Sequence, residues 1–253
     1  MRAGKDIEFT VVVPTINSAR WIGRLHEYYQ AIDVDPLYCV DTRTEDHTAG
    51  VLEDCKARRA FVTGKHRRVE SLLAELHLHV NSEWILRVDD DECPSAEAMA
   101  WIRETRCDFA ADTVSFPRKW LHCASNGQVL YRATRDWDSE YSPRGEDRQF
   151  RLYRKDRVTY VDEIHTAGFV VTRALAAPPQ ACLYHFNWIL RSKAERLARI
   201  AEYHTQRGGD SSWMNLFYIW EDVETWSSEG EVTEPNVVRL AHQIDAVARG
   251  PVS

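Results

Sequence analysis

The segment "SEWILRVDDDECPS" (82–95) places four consecutive acidic residues, Asp89 to Glu92, directly after an apolar run that is typical of a buried strand. Adjacent carboxylates repel one another, and acidic residues are poor strand formers. Two interpretations are therefore open: the acidic residues hold a cation, or they form a solvated turn that leads into a helix at Pro94. The position of the segment in the chain favours the first interpretation.

The first 106 residues alternate between strand-like and helix-like segments. Continuous β-branched runs predict the strands, and apolar residues at steps of three and four predict the helices between them. This alternation predicts an α/β fold with a mainly parallel sheet and helices on both faces. The strand-like segments are 7–17, 36–41, 60–64 and 84–89.

In a parallel sheet of this kind, ligands bind at the carboxyl ends of the strands. The acidic segment follows the fourth strand and therefore lies where this architecture places chemistry. Asp89 and Asp91, two residues apart, could share a hard divalent cation, because Mg²⁺ and Mn²⁺ prefer oxygen ligands. The other residues expected at this edge are Pro14, Thr15, Asn17, Asp41, Gly64 and Lys65.

The second half of the chain is less regular. Strands are predicted at 113–122, 149–161 and 180–188, with a polar, turn-rich loop over 123–147. Ser192 and Glu195 match a capping box at the start of a helix that is expected to run to about Gln206. Further helices are predicted over 211–226 and after Pro235. Because no Pro-, Gly- or Ser-rich linker divides the chain, a single domain over residues 1–253 is predicted.

Bulk composition narrows the function classes. The chain has 253 residues and a formal net charge of −7, which argues against a general nucleic-acid binder. No stretch reaches the roughly 18 apolar residues needed to span a bilayer, and "FTVVVP" (9–14) is too short for a signal-peptide core. The six cysteines form no C-x-x-C pair and are interpreted as reduced thiols of a cytoplasmic protein.

Several common motifs are missing from the sequence. No G-x-G-x-x-G pattern occurs, which excludes a dinucleotide fingerprint, and no G-x-S-x-G elbow occurs. "TGKHR" (63–67) resembles the end of a phosphate-binding loop, but Arg59 stands at its first Gly position and His66 replaces Ser or Thr. An EF-hand loop that begins at Asp89 would place Pro94 at the required Gly.

Three segments in this order, "FTVVVPTIN" (9–17), "CVDTRTEDHT" (39–48) and "WILRVDDDE" (84–92), resemble the nucleotide-sugar half of an inverting family 2 glycosyltransferase of the GT-A fold. Two later segments, 145–165 and 182–204, resemble the acceptor half of bacterial members. The resemblance covers about residues 7–206. It implies a GT-A (Rossmann-like) domain with a nucleotide-sugar half (1–112), an acceptor half (113–190) and C-terminal helices (191–253).

The resemblance also implies roles for residues in the first half. Pro14 and Thr15 would line the base and ribose pocket, with Asn17 beside them, and Asp41 would accept a hydrogen bond from a uracil-like edge. Asp89 would contact ribose or metal, Asp90 would lie in the donor site and Asp91 would ligate the metal, Mn²⁺ or Mg²⁺. The nearby cations are Lys65, Arg67 and Arg68. They would offset the negative charge of the diphosphate; alternatively, they form a solvated helix start.

Two residues of the second half complete the predicted site. Asp147 resembles the Asp of a family Glu-Asp motif, which acts as a general base. Alternatively, Asp147 forms a surface ion pair with Arg144, Arg148 or Arg151. Glu163 is the second candidate for the base. His185 lies near the position where many GT-A enzymes place a third metal ligand. A histidine flanked by aromatic residues is also typical of a packed core. Trp213, Phe217 and Trp220 recur at helical spacing, which indicates core packing, acceptor stacking or a dimer contact.

The predicted activity is metal-assisted transfer of a sugar from a nucleotide-sugar, a UDP-sugar first of all, to a hydroxyl of a carbohydrate or glycolipid acceptor. The sequence leaves open a homodimer and peripheral contact with a membrane, and it predicts no nucleic-acid partner. One alternative is a sugar nucleotidyltransferase, although "PTINSARW" (14–21) lacks the Gly-rich, Lys-ended loop of that class. The other is a non-catalytic protein of the same fold that binds sugar or nucleotide.

Overall fold

A computed structural model describes residues 9–66, 68–105, 110–134, 147–163, 166–207, 218–219 and 226–249. The chain forms two compact units. The first unit comprises Met1–Pro117 and Arg148–Leu183, and the second comprises Arg118–Asp147 and Tyr184–Ser253. The single-domain organisation, with boundaries after residues 112 and 190, stays a prediction.

The first unit begins with the predicted alternation of strands and helices. Its elements in chain order are β1 (Phe9–Thr15), α1 (Ile22–Ala31), β2 (Leu37–Asp41), α2 (Thr48–Asp54), β3 (Arg58–Val62), α3 (Val69–Leu76), a 3-10 turn (His77–His79), β4 (Trp84–Arg87), β5 (Glu92–Pro94), α4 (Ala96–Glu104) and the first half of β6 (Thr113–Cys123). β7 (Val129–Thr134) belongs to the second unit, and the first unit resumes with β8 (Arg148–Arg154), β9 (Thr159–Tyr160), β10 (Phe169–Val170) and β11 (Ala174–Ala176).

Four neighbouring strands of the first unit, in the order β3-β2-β1-β4, are parallel. Val12 in the centre of β1 pairs with Leu37 of β2 and with Arg87 of β4. The sheet continues with β8 antiparallel to β4, and with the start of β6 antiparallel to β8. The predicted parallel sheet is therefore confirmed for these four strands, and the complete sheet of this unit is mixed.

Helices cover both faces of the parallel strands. The ring of His26 in α1 lies 5.7 Å from the ring of Tyr38 in β2. The next residue of β2, Cys39, packs in a buried cluster with Leu72 and Leu73 of α3. Because successive strand residues point to opposite faces of a sheet, α1 and α3 lie on opposite faces. The prediction of helices on both faces is confirmed.

The second unit contains the end of β6, β7, the end of β12 (Leu183–His185), α5 (Asn187–Leu190), α6 (Lys193–Arg207), β13 (Trp226–Glu231) and α7 (Pro235–Arg249). The predicted capping box is present at the start of α6. The backbone N–H of Ser192 donates to Glu195 Oε2 at 2.7 Å, and the backbone N–H of Glu195 donates to Ser192 Oγ at 3.3 Å. The predicted helix after Pro235 is also confirmed.

Three elements differ from the sequence predictions. The 123–147 segment is not all loop, because β7 lies within it and pairs antiparallel with β6. The 180–188 strand is short, since β12 gives way to α5 at Asn187. The predicted 211–226 helix does not extend to Trp226, where β13 begins and pairs antiparallel with β7.

Trp213, Phe217 and Trp220 lie outside the described residues. Within the described residues, no helix combines the length and apolarity that crossing a bilayer requires.

A prediction follows from the close approach of the loop after β3 to α3. A Cβ placed on Gly64 would lie 2.8 Å from the backbone carbon and oxygen of Ser71. Because backbone atoms cannot move aside as a flexible side chain does, we expect Gly64→Ala to lower the free energy of unfolding by about 1–3 kcal/mol in urea denaturation. Gly127→Ala is the comparison for backbone strain without a steric clash: its φ of 86° disfavours Ala, but no atom lies within 4 Å of an added Cβ, so we expect a loss of only about 1 kcal/mol. An unfolding midpoint for Gly64→Ala equal to that of the unsubstituted protein would contradict the packing described.

Candidate functional site

The carboxyl ends of three adjacent parallel strands bring together the residues singled out in the sequence. Thr15 ends β1, Asp41 ends β2, and the acidic turn 89–92 follows β4. The hydroxyl of Thr15 donates to Asp90 Oδ2 at 2.9 Å, so the end of β1 and the acidic turn are in direct contact. This edge of the first unit is the candidate site.

Asp90 joins the turn after β1 to the acidic turn. Besides the Thr15 hydroxyl, its Oδ2 accepts a hydrogen bond from the hydroxyl of Ser18 and a longer one, 3.4 Å, from the backbone N–H of Ile16. The indole N–H of Trp21 donates to the backbone oxygen of Asp90 at 2.7 Å. The Asp90 carboxylate therefore stabilises the β1–α1 turn.

Asn17 ties the same turn to the loop after β2. Its φ of 52° lies in the left-handed region, which Asn tolerates better than most residues. The side-chain oxygen of Asn17 accepts the backbone N–H of Glu45 at 2.8 Å. Two neighbours add to the connection, because the backbone N–H of Ala19 donates to Asp46 Oδ2 at 3.0 Å and that of Ser18 donates to Thr48 Oγ1 at 2.7 Å.

Asp41 is buried, and its carboxylate is bound by Arg43. Oδ1 accepts the backbone N–H of Arg43 at 2.9 Å and its Nε at 2.8 Å, and Oδ2 accepts Nη2 at 2.5 Å. Nη2 also donates to the backbone oxygen of His66 at 2.6 Å. These hydrogen bonds to Asp41 raise the pKa of the Arg43 guanidinium. Arg43 thus occupies both oxygens of the Asp41 carboxylate.

Two of the four carboxylates in the acidic turn are bound by one buried arginine of β8. Arg151 Nη2 donates to Asp89 Oδ2 at 2.5 Å and to Glu92 Oε1 at 3.0 Å, and its Nε donates to Glu92 Oε2 at 3.1 Å. The exposed fraction is 2% for the Arg151 side chain and 0% for that of Glu92. The acidic turn can therefore follow a buried strand because Arg151 neutralises two of its carboxylates.

Opposing influences act on Asp89. Burial raises its pKa to about 6, the Arg87 guanidinium opposes the shift, and the carboxylates of Asp91, Glu70 and Asp90 add to it. The short hydrogen bond from Arg151 also favours the ionised form. With a pKa of about 6, Asp89 is mostly ionised at neutral pH. Its buried Oδ1 accepts no hydrogen bond from the described residues, and Arg87 Nε lies 3.6 Å from it.

The chemistry of these oxygens fits a hard dication. Asp91 is half-buried on the same turn, and Asp89 offers a buried Oδ1. In the part of the chain that the structure describes, no group of three or more His, Cys, Asp or Glu side chains is arranged to hold a metal ion. Mg²⁺ is usually bound by one or two carboxylates together with substrate phosphates, so a preformed three-residue cage is not required.

The predicted cations occupy the loop after β3 and the start of α3. Lys65 is exposed. Arg68 donates to Asp162 Oδ1 from both Nε and Nη2, at 3.0 and 2.9 Å, and His66 Nε2 lies 3.5 Å from Asp162 Oδ2. Arg67 lies outside the described residues. Arg68 is thus held by the Asp162 carboxylate.

Asp147 lies in the second unit, buried against two side chains of β6. Its Oδ2 accepts Arg118 Nε at 2.8 Å and the indole N–H of Trp120 at 2.9 Å. Its backbone oxygen accepts the backbone N–H of Arg118 at 2.7 Å. Arg118 thus forms an ion pair with Asp147, whose side chain is buried; Arg144, a predicted partner, lies outside the described residues.

His185 shares a neighbour with Asp147. Its ring meets the ring of Trp120 edge-on, with centroids 4.1 Å apart and an interplanar angle of 81°. The side chain is buried, as a packed core histidine would be. Asp91 belongs to the first unit and His185 to the second. The metal-ligand role of His185 stays a prediction, as does the base role of Asp147. The reserve base Glu163 is exposed in the first unit.

Sequence reasoning missed the partners of the acidic residues: Arg43, Arg151, Arg118 and Trp120. One signal for Arg151 was available. Four adjacent carboxylates behind a buried strand require a counter-charge, and the predicted 149–161 strand carries an arginine between Phe150 and Leu152. Nothing in the local pattern distinguishes Trp120 from an ordinary core residue.

No protein-family model matches the chain. No curated protein matches it. Solved structures similar to the chain include GT-A glycosyltransferases and nucleotidyltransferases of the same fold, at low sequence identity.

A structure of S. aureus TarS in complex with UDP-GlcNAc has a TM-score of 0.46 and 17% identity, and the match covers 70% of this chain and 58% of that chain. Glucosyl-3-phosphoglycerate synthase from Mycobacterium tuberculosis, in complex with Mn²⁺, UDP and glucosyl-3-phosphoglycerate, has a TM-score of 0.36 and 16% identity, covering 44% of this chain and 43% of that one. The 4-diphosphocytidyl-2C-methyl-D-erythritol synthase from Anaerococcus prevotii has a TM-score of 0.39 and 14% identity, covering 60% and 73%. The chain thus spans less than two thirds of the length of the TarS structure. Because each TM-score is below 0.5, the function proposed below rests on the described side chains.

The Arg151 network yields a stability prediction. Arg151→Met leaves the fully buried Glu92 carboxylate without its described counter-charge, so we expect the free energy of unfolding to fall by roughly 3–5 kcal/mol. Adding Glu92→Gln should recover much of that loss. Arg24→Met is the matched control, because the Arg24–Glu27 pair is about half exposed on both sides and should contribute less than about 1 kcal/mol. Equal losses for Arg24→Met and Arg151→Met in urea denaturation would contradict the assignment.

Proposed function

We propose that this protein is an inverting glycosyltransferase that moves a sugar from a UDP-sugar to a hydroxyl of a carbohydrate or glycolipid acceptor, assisted by Mn²⁺ or Mg²⁺. The observation that carries the proposal is the meeting of Thr15, Asp41 and the acidic turn at the carboxyl ends of adjacent parallel strands. In open α/β sheets this edge is where nucleotides bind. A cytoplasmic location and a homodimer belong to the same proposal.

The principal metal ligand in this proposal is Asp91, which is half-buried in the acidic turn after β4. Asp90 fixes the turn after β1, and Glu92 is bound to Arg151. One oxygen of Asp89, Oδ2, accepts a hydrogen bond from Arg151. The other, Oδ1, is buried and accepts no hydrogen bond from described residues. Asp91 and Asp89 would hold the dication, and His185 is the proposed third ligand. When bound, the ion would supply positive charge to the leaving diphosphate.

The same edge offers a place for the nucleoside. Pro14 and Thr15 would line the base and ribose pocket, with Asn17 holding the turn beside them. Asp41 would accept a hydrogen bond from the uracil edge once Arg43 shifts. Lys65 is exposed beside this region and could reach a phosphate, and Arg68 could do so by leaving Asp162.

Asp147 is the proposed general base. It would take the proton from the acceptor hydroxyl as that oxygen attacks the anomeric carbon, and the bond from that carbon to the diphosphate oxygen would break on the opposite side. Two donors, Arg118 Nε and the Trp120 indole N–H, hold the carboxylate in place. General-base catalysis typically contributes about 10²- to 10⁴-fold in rate.

Binding of the nucleotide tests the first half of the proposal. In a thermal-shift series with UDP, GDP and dTDP, each with Mn²⁺, we expect UDP to stabilise the protein most. At tenfold above Kd, the stabilisation should reach about 1.4 kcal/mol. Transfer from UDP-sugars then separates an enzyme from a non-catalytic binder, and release of pyrophosphate from nucleoside triphosphates would indicate a nucleotidyltransferase instead.

Asp91→Asn tests the metal site. We expect UDP affinity in the presence of Mn²⁺ to fall by about tenfold or more, because the amide oxygen carries no charge to hold the dication. When EDTA removes the metal, the UDP affinity of Asp91→Asn measured by titration calorimetry should equal that of the unsubstituted protein. Asp54→Asn, an exposed residue of the same unit, is the control. A Mn²⁺-dependent gain in UDP affinity that survives in Asp91→Asn would remove Asp91 from the site.

Asp147→Asn tests the base. The rate of transfer should fall by about 10²- to 10⁴-fold, because an amide cannot accept the proton, while UDP affinity with Mn²⁺ stays unchanged. Asp245→Asn is the matched control, since Asp245 forms an ion pair at 2.9 Å with the largely exposed Arg249 in the same unit. Transfer by Asp147→Asn at the rate of the control variant would show that another group takes the proton.

A further inference from the structure

Trp120 is held on several sides within the second unit. It is buried, and its ring stacks on that of Trp188 with centroids 5.2 Å apart and an interplanar angle of 29°. The ring of His185 lies 4.1 Å away, and that of Tyr218 lies 6.0 Å away. The guanidinium carbon of Arg118 lies 4.7 Å from the ring centroid. These contacts restrict the side chain to one orientation, and they also fix the direction in which its indole N–H points.

That indole N–H points at the proposed base. It donates to Asp147 Oδ2 at 2.9 Å, and the same oxygen accepts Arg118 Nε at 2.8 Å. Both donors come from β6, the strand that carries residues 113–123, and not from the segment that leads into Asp147. A buried carboxylate needs such donors, because an ionised group without them would pay a large desolvation cost. Among the described residues, β6 therefore supplies two donors that orient the Asp147 carboxylate.

We infer that Trp120 is a positioning residue for Asp147: its indole N–H, fixed by the aromatic contacts around it, sets the plane of the carboxylate that takes the acceptor proton. This inference rests on the proposed function. Small misplacements of a reacting group cost rate steeply, since a shift of about 1 Å can lower it by 10²-fold. Trp120 also contacts His185, so one ring supports both residues that we assign to the site from this unit.

Two substitutions separate the role of the N–H from that of the ring. Trp120→Phe keeps an aromatic ring but removes the donor. Replacement of Trp120 by 3-benzothienylalanine keeps the size and shape of the indole and exchanges only the N–H for sulfur. We expect both variants to lose kcat by about 10- to 100-fold, with KM for the donor sugar within about twofold of the unsubstituted protein. Trp101→Phe, in the first unit, is the control and should retain kcat.

If Trp120 acted only through packing, the two variants would differ in activity. In that case the benzothienyl variant, which fills the same volume, would retain activity, and only Trp120→Phe would lose it. Retained kcat in the benzothienyl variant therefore overturns this inference while leaving the proposed function intact. Absence of transfer by the unsubstituted protein with every UDP-sugar overturns the proposed function and this inference together.

A second measurement reports the hydrogen bond without activity. In ¹⁵N–¹H NMR spectra of the whole chain, Asp147→Ala should make the Trp120 indole proton exchange with solvent about tenfold faster or more, because its acceptor is gone. Asp245→Ala should leave the exchange rate unchanged. Equal exchange rates in Asp147→Ala and in the unsubstituted protein would show that Asp147 does not hold this indole, and the inference would fail.

Discussion

The arrangement of the first unit depends on one buried guanidinium. Arg151 of β8 bonds to Asp89 and to the fully buried Glu92, which allows an acidic turn to follow a strand in the interior of the protein. Without a counter-charge, desolvation of these carboxylates would cost several kcal/mol for each ion. The antiparallel strand that carries Arg151 is therefore part of the candidate site, although it lies outside the parallel strands that end there. Placement of β8 directly beside β4 makes the contact possible.

A second consequence of this charge arrangement is order at the edge of the sheet. With Asp89 and Glu92 bound to Arg151, Asp90 is available to hold the turn after β1 through Thr15 and Ser18. Asn17 and Asp46 connect that turn to the loop after β2. Side-chain hydrogen bonds thus fix three loops to one another. Such preorganisation would reduce the entropic cost of binding the proposed nucleotide.

The elements that sequence reasoning predicted correctly are those whose signals are local. Periodicity over ten to fifteen residues predicted α1 and α3, and the capping box at Ser192 predicted α6 and where it starts. β13 was missed because "WSSEGE" has a polar, Gly-containing composition, and only its pairing with β7 makes it a strand. The partners of the acidic residues were missed for a similar reason. Arg151 is 59 residues from Glu92, and Trp120 is 27 residues from Asp147, so neither pair leaves a trace in local spacing. The Asp41–Arg43 pair is local, but the spacing alone does not say that the arginine turns back onto its neighbour.

The central claim is that Asp91 and Asp89 hold a dication that neutralises the diphosphate of a bound nucleotide. The most direct measurement is anomalous diffraction from crystals of this protein grown or soaked with Mn²⁺ and UDP. We predict an anomalous difference peak within bonding distance of Asp91, about 2.0–2.2 Å for a small hard dication, shared with the diphosphate oxygens. UDP bound at the ends of β1 and β2 with no such peak beside Asp91 would contradict the claim.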